Sequence, residues 1–425
     1  MRILMVTNTF APHVGGVARS VTAFTEEYRR RGHRVVVVAP EFAGMPEHED
    51  DVIRVQALQN FNGSDFSVVL KPPLHLARAM EDFSPDIIHA HHPFLLGSTA
   101  LRLARSFSTP LVFTHHTLYE RYTHYVPGDS AALKRFVTRL STNYANLCAR
   151  VFAPSDSTAR TLRERQVHVP MTVVPTGVRL TDFGRGDGDA LRTAMEIPDG
   201  ATVIGYVGRL AAEKNLEFLS RAMVRTLADN PSAFGLIVGD GPLRDVVQAI
   251  FSDAGLAGRV RFTGTLQGFL LSSAYKAMDV FAFASDSETQ GLVLLEAMAA
   301  GVPVVAIDAP GARELVADGV NGRLLASADE GNFAAALGEL AGLPAGPRAL
   351  LRARARKTAE FLSLERAADR ALLAYESLLD NPARAEAEVD EAWYRTVRLM
   401  RAEWDLVIAA MGAASKAVLG QIEAK

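Results

Sequence analysis

Cysteine is nearly absent: Cys148 is the one thiol in 425 residues, which excludes an internal disulfide framework and any thiolate zinc site. Long apolar runs are missing too. No uncharged stretch approaches the ~20 residues that a membrane-spanning helix needs, and the apolar start over residues 2–6 is too brief for a secretory signal. Tryptophan occurs only at Trp393 and Trp404. No charge sign dominates: 45 Lys and Arg face 48 Asp and Glu, a net −3, which argues against a general nucleic-acid binder. What remains is ordinary globular composition in a length that suits two or three domains. The expected location is cytoplasmic, or peripheral on the inner face of a membrane.

The charge is uneven along the chain. Residues 1–180 carry a net +5 and the remainder −8. A basic first half suits a phosphate or lipid headgroups, and ordinary surface variation explains it equally well. Residues 2–7 form a short β-rich run, followed by the glycine loop Pro12-His13-Val14-Gly15-Gly16. Val17, Val21, Phe24 and Tyr28 then fall at i, i+4, i+7 and i+11, which predicts a helix over 17–31 stopped at Gly32-His33. With a strand at 35–39 this makes a βαβ unit of the Rossmann type. Further strands are expected at 87–90, 111–114, 151–153 and 173–174.

A second series begins after Gly177, with strands at 202–207 and 235–238 around a helix over 216–229. Strands at 260–262, 280–284 and 304–306 continue it. Two such alternations predict two α/β, doubly wound domains with parallel sheets, 1–180 and 181–362, with a ligand cleft at the carboxyl ends of their strands. Residues 184–189, rich in Gly and Asp, lie near the boundary. A terminal helix over 363–382 is expected to pack back toward the first domain. A helical extension over 383–425 follows, and its Trp393, Val397, Met400, Trp404 and Ile408 share one face.

The most informative stretch is SDSETQGLVLLEAMAAG over 285–301. It follows a strand, and its helix is expected to start near Gly291 and end at Gly301. Gly291, Leu292 and Val293 then offer first-turn N–H groups without intrahelical acceptors, an anion site. Glu288 before that site and Glu296 beyond it can accept hydrogen bonds from hydroxyls of a ligand whose phosphate lies between them. A helix-start Glu and a structural buried Glu are the plainer alternatives. Upstream, GRLAAEKN places Arg209 and Lys214 on either side of a loop leading to a helix, where two cations could meet a diphosphate. Gly239-Asp240-Gly241-Pro242 reads as a tight strand–helix turn.

These segments, in this order and with the glycine loop, resemble the retaining nucleotide-sugar glycosyltransferases of family 4 over roughly residues 1–380. The resemblance implies the GT-B fold, two Rossmann-like domains with the donor held mainly by the second. It implies that Arg209 and Lys214 bind the donor diphosphate and offset charge on the departing nucleotide. Glu288 corresponds to the glutamate contacting the donor sugar and Glu296 to the one holding the ribose. Gly15 and Gly16 would let backbone approach the diphosphate. A nucleotide-diphosphate sugar, with a UDP-sugar favoured, is the substrate, and no cofactor or metal is expected.

Six of the eleven histidines lie between residues 89 and 124. Clustered imidazoles suggest a metal, yet His89-Ala90-His91-His92 has no adjacent Asp and no H-E-x-x-H pattern exists. By resemblance His116 is the histidine facing the transferred sugar and the reacting acceptor, with His115 the alternative one register away. The segment from His116 to Tyr125, HTLYERYTHY, resembles glycosyltransferases that glucosylate diacylglycerol, which makes Tyr119 and Tyr122 acceptor-side candidates. The apolar stripe Leu133, Phe136, Val137, Leu140, Tyr144 and Leu147, beside Lys134, Arg135 and Arg139, suits either an anionic membrane surface or the protein core. A hydroxyl acceptor therefore stays open between a membrane glycerolipid and a soluble sugar or polysaccharide precursor. A sugar-nucleotide epimerase and a non-catalytic nucleotide-sugar binder share the architecture, and the oligomeric state is open.

Overall fold

The computed structural model describes residues 1–13, 15–58, 68–69, 75–121, 130–286 and 288–380. The expected extension over 383–425, with its tryptophan face, and Tyr122 lie outside the described residues. The chain divides into two compact units. The first comprises Met1–Ala153, Ala159–Val173 and the chain from Ala371; the second comprises Pro154–Thr158 and Val174–Arg370.

In the first unit the strands are β1 (Arg2–Val6), β2 (Arg34–Pro40), β3 (Val52–Val55), β4 (Ala57–Leu58), β5 (Val68–Val69), β6 (Ile87–Ala90), β7 (Leu111–Thr114), β8 (Arg150–Ala153) and β9 (Met171–Val173). Seven form one sheet in the order β3-β2-β1-β6-β7-β8-β9, every pairing parallel. β4 and β5 make a small antiparallel ribbon. A parallel sheet is covered on both faces, so its central strands are unbroken apolar runs. β2, RVVVVAP, is buried at all but its first residue. Helix Gly16–Arg30 lays Val21, Phe24 and Tyr28 on the sheet, and its Arg29 and Arg30 sit at the negative end of its dipole.

The second unit repeats the scheme with β10 (Thr202–Val207), β11 (Ala233–Val238), β12 (Val260–Gly264), β13 (Val280–Phe283), β14 (Val304–Ile307) and β15 (Gly322–Leu325). The order β12-β11-β10-β13-β14-β15 is again all parallel. Each sheet reverses its strand order once, at β1/β6 and at β10/β13. In doubly wound sheets ligands bind outside the carboxyl ends at that reversal.

The strand expected at 173–174 is observed at Met171–Val173, a half-exposed edge where no apolar run marks it. Residues 184–189 are packed rather than linking. A Cβ on Gly186 would lie 2.4 Å from the backbone at Ser272, and Asp187 N–H donates to Ser273 Oγ at 2.9 Å. Helix Leu364–Leu379 passes from the second unit into the first. There Tyr375 is buried, stacked on Phe152 at 5.6 Å. Among the described residues no helix is long and apolar enough to cross a membrane.

Candidate active site

The second unit gathers its polar residues where β10 and β13 end. The chain leaves β10 at Gly208, and that loop is stitched to the turn after β11. Gly208 N–H donates to the Val238 carbonyl at 3.0 Å, Leu210 N–H to Asp240 at 2.9 Å, and Leu243 N–H to Leu210 at 2.9 Å. The contact demands glycine. At Gly239, φ is +130° and a Cβ would stand 1.9 Å from the Gly208 carbonyl oxygen. Asp240 accepts from Gly241 N–H at 2.8 Å and from Arg244 at 3.0 Å, which fits the tight turn read from the sequence.

Beyond Gly208 the half-buried Arg209 has its carbonyl held by the Tyr206 hydroxyl at 3.1 Å. Burial pushes the Tyr206 phenol well above its ordinary range; Lys214 opposes that shift and Glu288 adds to it. A single turn, Ala212–Lys214, delivers Lys214 before helix Leu216–Asp229 begins. Lys214 Nζ donates to Glu288 Oε1, in an ion pair with both side chains about one-fifth exposed, 17% and 21%. Buried Ser285 donates to the Glu213 carbonyl at 3.1 Å and reaches Glu288 Oε1 at 3.5 Å. The structure thus joins Lys214 to Glu288, 74 residues apart in sequence.

The loop carrying Glu288 is clamped. The Thr289 carbonyl accepts from Ser155 Oγ at 2.7 Å, and Gln290 Oε1 accepts from Thr176 N–H at 2.9 Å. Gly291, in the left-handed region at φ +71°, caps helix Leu292–Ala299. Its first-turn N–H groups at Leu292 and Val293 have no acceptor within the helix. Glu296 lies one turn further in, 2% exposed, and accepts from the Tyr275 hydroxyl at 2.7 Å. A buried carboxylate needs such a donor; Tyr275 was not visible as its partner in any local spacing.

The first unit, taken by itself, has a group of packed histidines at the ends of β6 and β7. His89 Nε2 bonds Thr114 Oγ1 at 2.7 Å, and its Nδ1 bonds the Tyr375 hydroxyl at 2.6 Å. His91 lies on His89 with ring centres 4.2 Å apart, and on His116 at 5.2 Å. His116 itself is half-buried. His115, the one-register alternative, is fully buried with neither ring nitrogen hydrogen-bonded. It packs against Phe113 and Tyr119 and is a wall residue. Tyr119 stands between His115 and Phe94, its hydroxyl buried and unpartnered. Gly15 and Gly16 show no positive φ; Gly15 is extended, and the space over Gly16 is open among the described residues. The backbone itself therefore does not require glycine at either position. Among the described residues no group of three or more His, Cys, Asp or Glu is placed to hold a metal ion.

Burial pushes His89 and His115 down to about 3, against about 6.5 in the unfolded chain. Between those values the unfolded chain binds the extra protons, so stability rises with pH through the window and is lost as pH falls below 6.5. Each fully buried histidine contributes about 1.4 kcal/mol per pH unit there. Lowering the pH from 7 to 5.5 should reduce the Tm by several degrees. His115→Phe, which removes two unpartnered nitrogens, should flatten that dependence. An unchanged slope in thermal unfolding would show that His115 is not held neutral.

Residues 14–182 match the family described as Glycosyltransferase Family 4, and residues 187–359 the one described as Glycosyl transferases group 1. An alpha-monoglucosyldiacylglycerol synthase of Streptococcus pneumoniae is 30% identical over 330 residues, covering 76% of this chain and 75% of the relative. A GDP-mannose-dependent alpha-mannosyltransferase of Mycolicibacterium smegmatis is 34% identical over 334 residues, 76% of this chain and 84% of the relative. Among solved structures, sucrose-phosphate synthase of Thermosynechococcus elongatus is similar with a TM-score of 0.73 at 22% identity, over 89% of this chain and 100% of that one. HepE of Anabaena, in complex with UDP, is similar with a TM-score of 0.69 at 21% identity, over the same shares.

Proposed function

The chain belongs to glycosyltransferase family 4 and has the GT-B fold, and from that premise we propose that it transfers a hexosyl group from a UDP-sugar to a hydroxyl acceptor, without a metal and with retention at the anomeric carbon. The observation that carries this reading is the Lys214–Glu288 pair beside the start of helix Leu292–Ala299. In the reaction the bond from the anomeric carbon to the diphosphate breaks and its electron pair goes to a phosphate oxygen. Arg209, Lys214 and the first-turn N–H groups at Gly291, Leu292 and Val293 offset that charge. The acceptor oxygen attacks on the same face and its proton passes to the departing phosphate. Glu288 accepts from donor-sugar hydroxyls, Glu296 from the ribose, and His116 faces the transferred sugar. Donor binding then exchanges partners: Lys214 turns from Glu288 to the diphosphate. At Gly15 and Gly16, glycines that the backbone does not demand suit a diphosphate's close approach.

The proposed acceptor is a membrane glycerolipid. Support comes from the relative named for glucosyldiacylglycerol and from helix Ala131–Asn146. Its Leu133, Phe136, Val137 and Leu140 are half-buried, while Lys134, Arg135 and Arg139 are exposed. With Arg165 and His168 these three line an open groove of about 530 Å³, a surface suited to anionic headgroups.

Thermal-shift titration with UDP-glucose, UDP-GlcNAc, UDP-galactose, GDP-mannose and ADP-glucose tests the donor. At a hundredfold excess over Kd, the true donor stabilises by about 2.7 kcal/mol. A shift with GDP-mannose alone would replace UDP in this account. With the donor known, vesicles containing an anionic lipid should raise transfer severalfold. Indifference to them would favour a soluble acceptor, and isomerisation of the donor without acceptor would favour an epimerase.

A further inference from the structure

The histidine stack contains a group that the proposed reaction does not use. His91 is 1% exposed at the end of β6, and its N–H is fixed to the Val6 carbonyl at 2.9 Å. Its two ring nitrogens meet different neighbours. Nε2 lies 3.5 Å from Met5 Sδ, and Nδ1 lies 2.9 Å from His116 Nε2. A thioether sulfur is only an acceptor. The hydrogen on His91 must therefore be on Nε2, pointing at Met5; the other tautomer would set two lone pairs against each other. A neutral imidazole carries one N–H, so His91 Nδ1 accepts, and the hydrogen in the 2.9 Å contact belongs to His116 Nε2.

From these contacts we infer that His91 is a positioning residue: it accepts the Nε2 proton of His116 and so fixes that ring as the tautomer whose Nδ1 is an acceptor toward a substrate hydroxyl. Burial and the neighbouring imidazoles hold both rings well below their ordinary range, so each stays neutral at pH 7. His116 then orients a hydroxyl by accepting its hydrogen and supplies no proton to the reaction. His89, bonded at both nitrogens, packs against His91 with ring centres 4.2 Å apart and planes tilted by 32°. Met5 in β1 is thereby a remote determinant of which nitrogen of His116 is protonated. The inference rests on the reading that His116 faces the transferred sugar.

The test is long-range proton–nitrogen NMR of the full chain labelled at histidine, combined with steady-state kinetics. In the wild type the His116 ring should show its proton on Nε2. Met5→Leu keeps the core volume and removes the acceptor, so His116 should become a mixture of tautomers and kcat should fall three- to tenfold. His91→Leu should lower kcat more than tenfold at unchanged nucleotide affinity. His91→Asn, which can present an oxygen where Nδ1 stood, should recover transfer to within about threefold of wild type. A wild-type His116 protonated on Nδ1, or one unchanged tautomer through Met5→Leu and His91→Leu, would overturn the inference. Full activity in His116→Ala would instead remove His116 from the reaction, an outcome that the nitrogen spectrum of the wild type keeps distinct.

Discussion

Lys214→Ala should lower kcat by about 10²–10³-fold, because a fixed donor aimed at developing charge is worth about 2.7–4 kcal/mol in the transition state. In the resting chain Lys214 is paired with Glu288, so its removal acts twice. It takes a cation from the departing diphosphate, and it leaves Glu288 uncompensated where the anionic donor must bind. The first opposes bond breaking, and the second acts on donor binding. The pair is about one-fifth exposed, which sets the expectation toward the lower end of that range. Initial rates at saturating donor check it, with Lys214→Arg as the partner variant. Arginine keeps the charge in a wider, planar head, so it should recover part of the rate. An unchanged kcat in Lys214→Ala would take this residue out of the mechanism.

The parts of the fold legible in sequence are those written in local spacing. Helix Leu216–Asp229 and strands Ile87–Ala90, Leu111–Thr114 and Thr202–Val207 appear where periodicity puts them, because buried central strands and amphipathic helices carry their own pattern. Two of the edge strands do not: Val52–Val55 and Gly322–Leu325 are half-exposed and carry no such pattern. The helix starting after Gly291 was legible from one glycine and the apolar run that follows it.

The candidate site divides along the same line. Glu288 and Lys214 could be singled out by spacing, but not their contact with each other, which depends on β10 and β13 being neighbours in the sheet. His91 drew notice only as a ligand for a metal, whereas its neighbours are Met5 and His116 on the adjoining strand ends. Tyr206 and Tyr275 are buried core aromatics, and each also gives its hydroxyl to a site residue. Such roles arise from side chains that meet across a sheet, and no window along the chain contains both partners.

Glu296 and His116 should fail in opposite ways. Glu296 is a buried carboxylate already holding one hydroxyl, that of Tyr275, and the proposed ribose would bring others. Hydrogen bonds to a charged group contribute about 1.5–3 kcal/mol, so Glu296→Ala should weaken nucleotide binding by about 10–150-fold. Glu296→Gln is the cleaner variant, since its amide oxygen can still accept from Tyr275 while the charge is gone; a loss of about tenfold is expected. His116→Ala touches the transferred sugar's side of the reaction and should leave the nucleotide's affinity alone while transfer falls.

Calorimetric titration of UDP into the wild type, Glu296→Gln and His116→Ala therefore tests the placement of the donor most directly. The account predicts tight binding in the wild type, a roughly tenfold weaker Kd in Glu296→Gln and an unaltered Kd in His116→Ala. The same Kd in wild type and Glu296→Gln, or an equal loss in both variants, would contradict it.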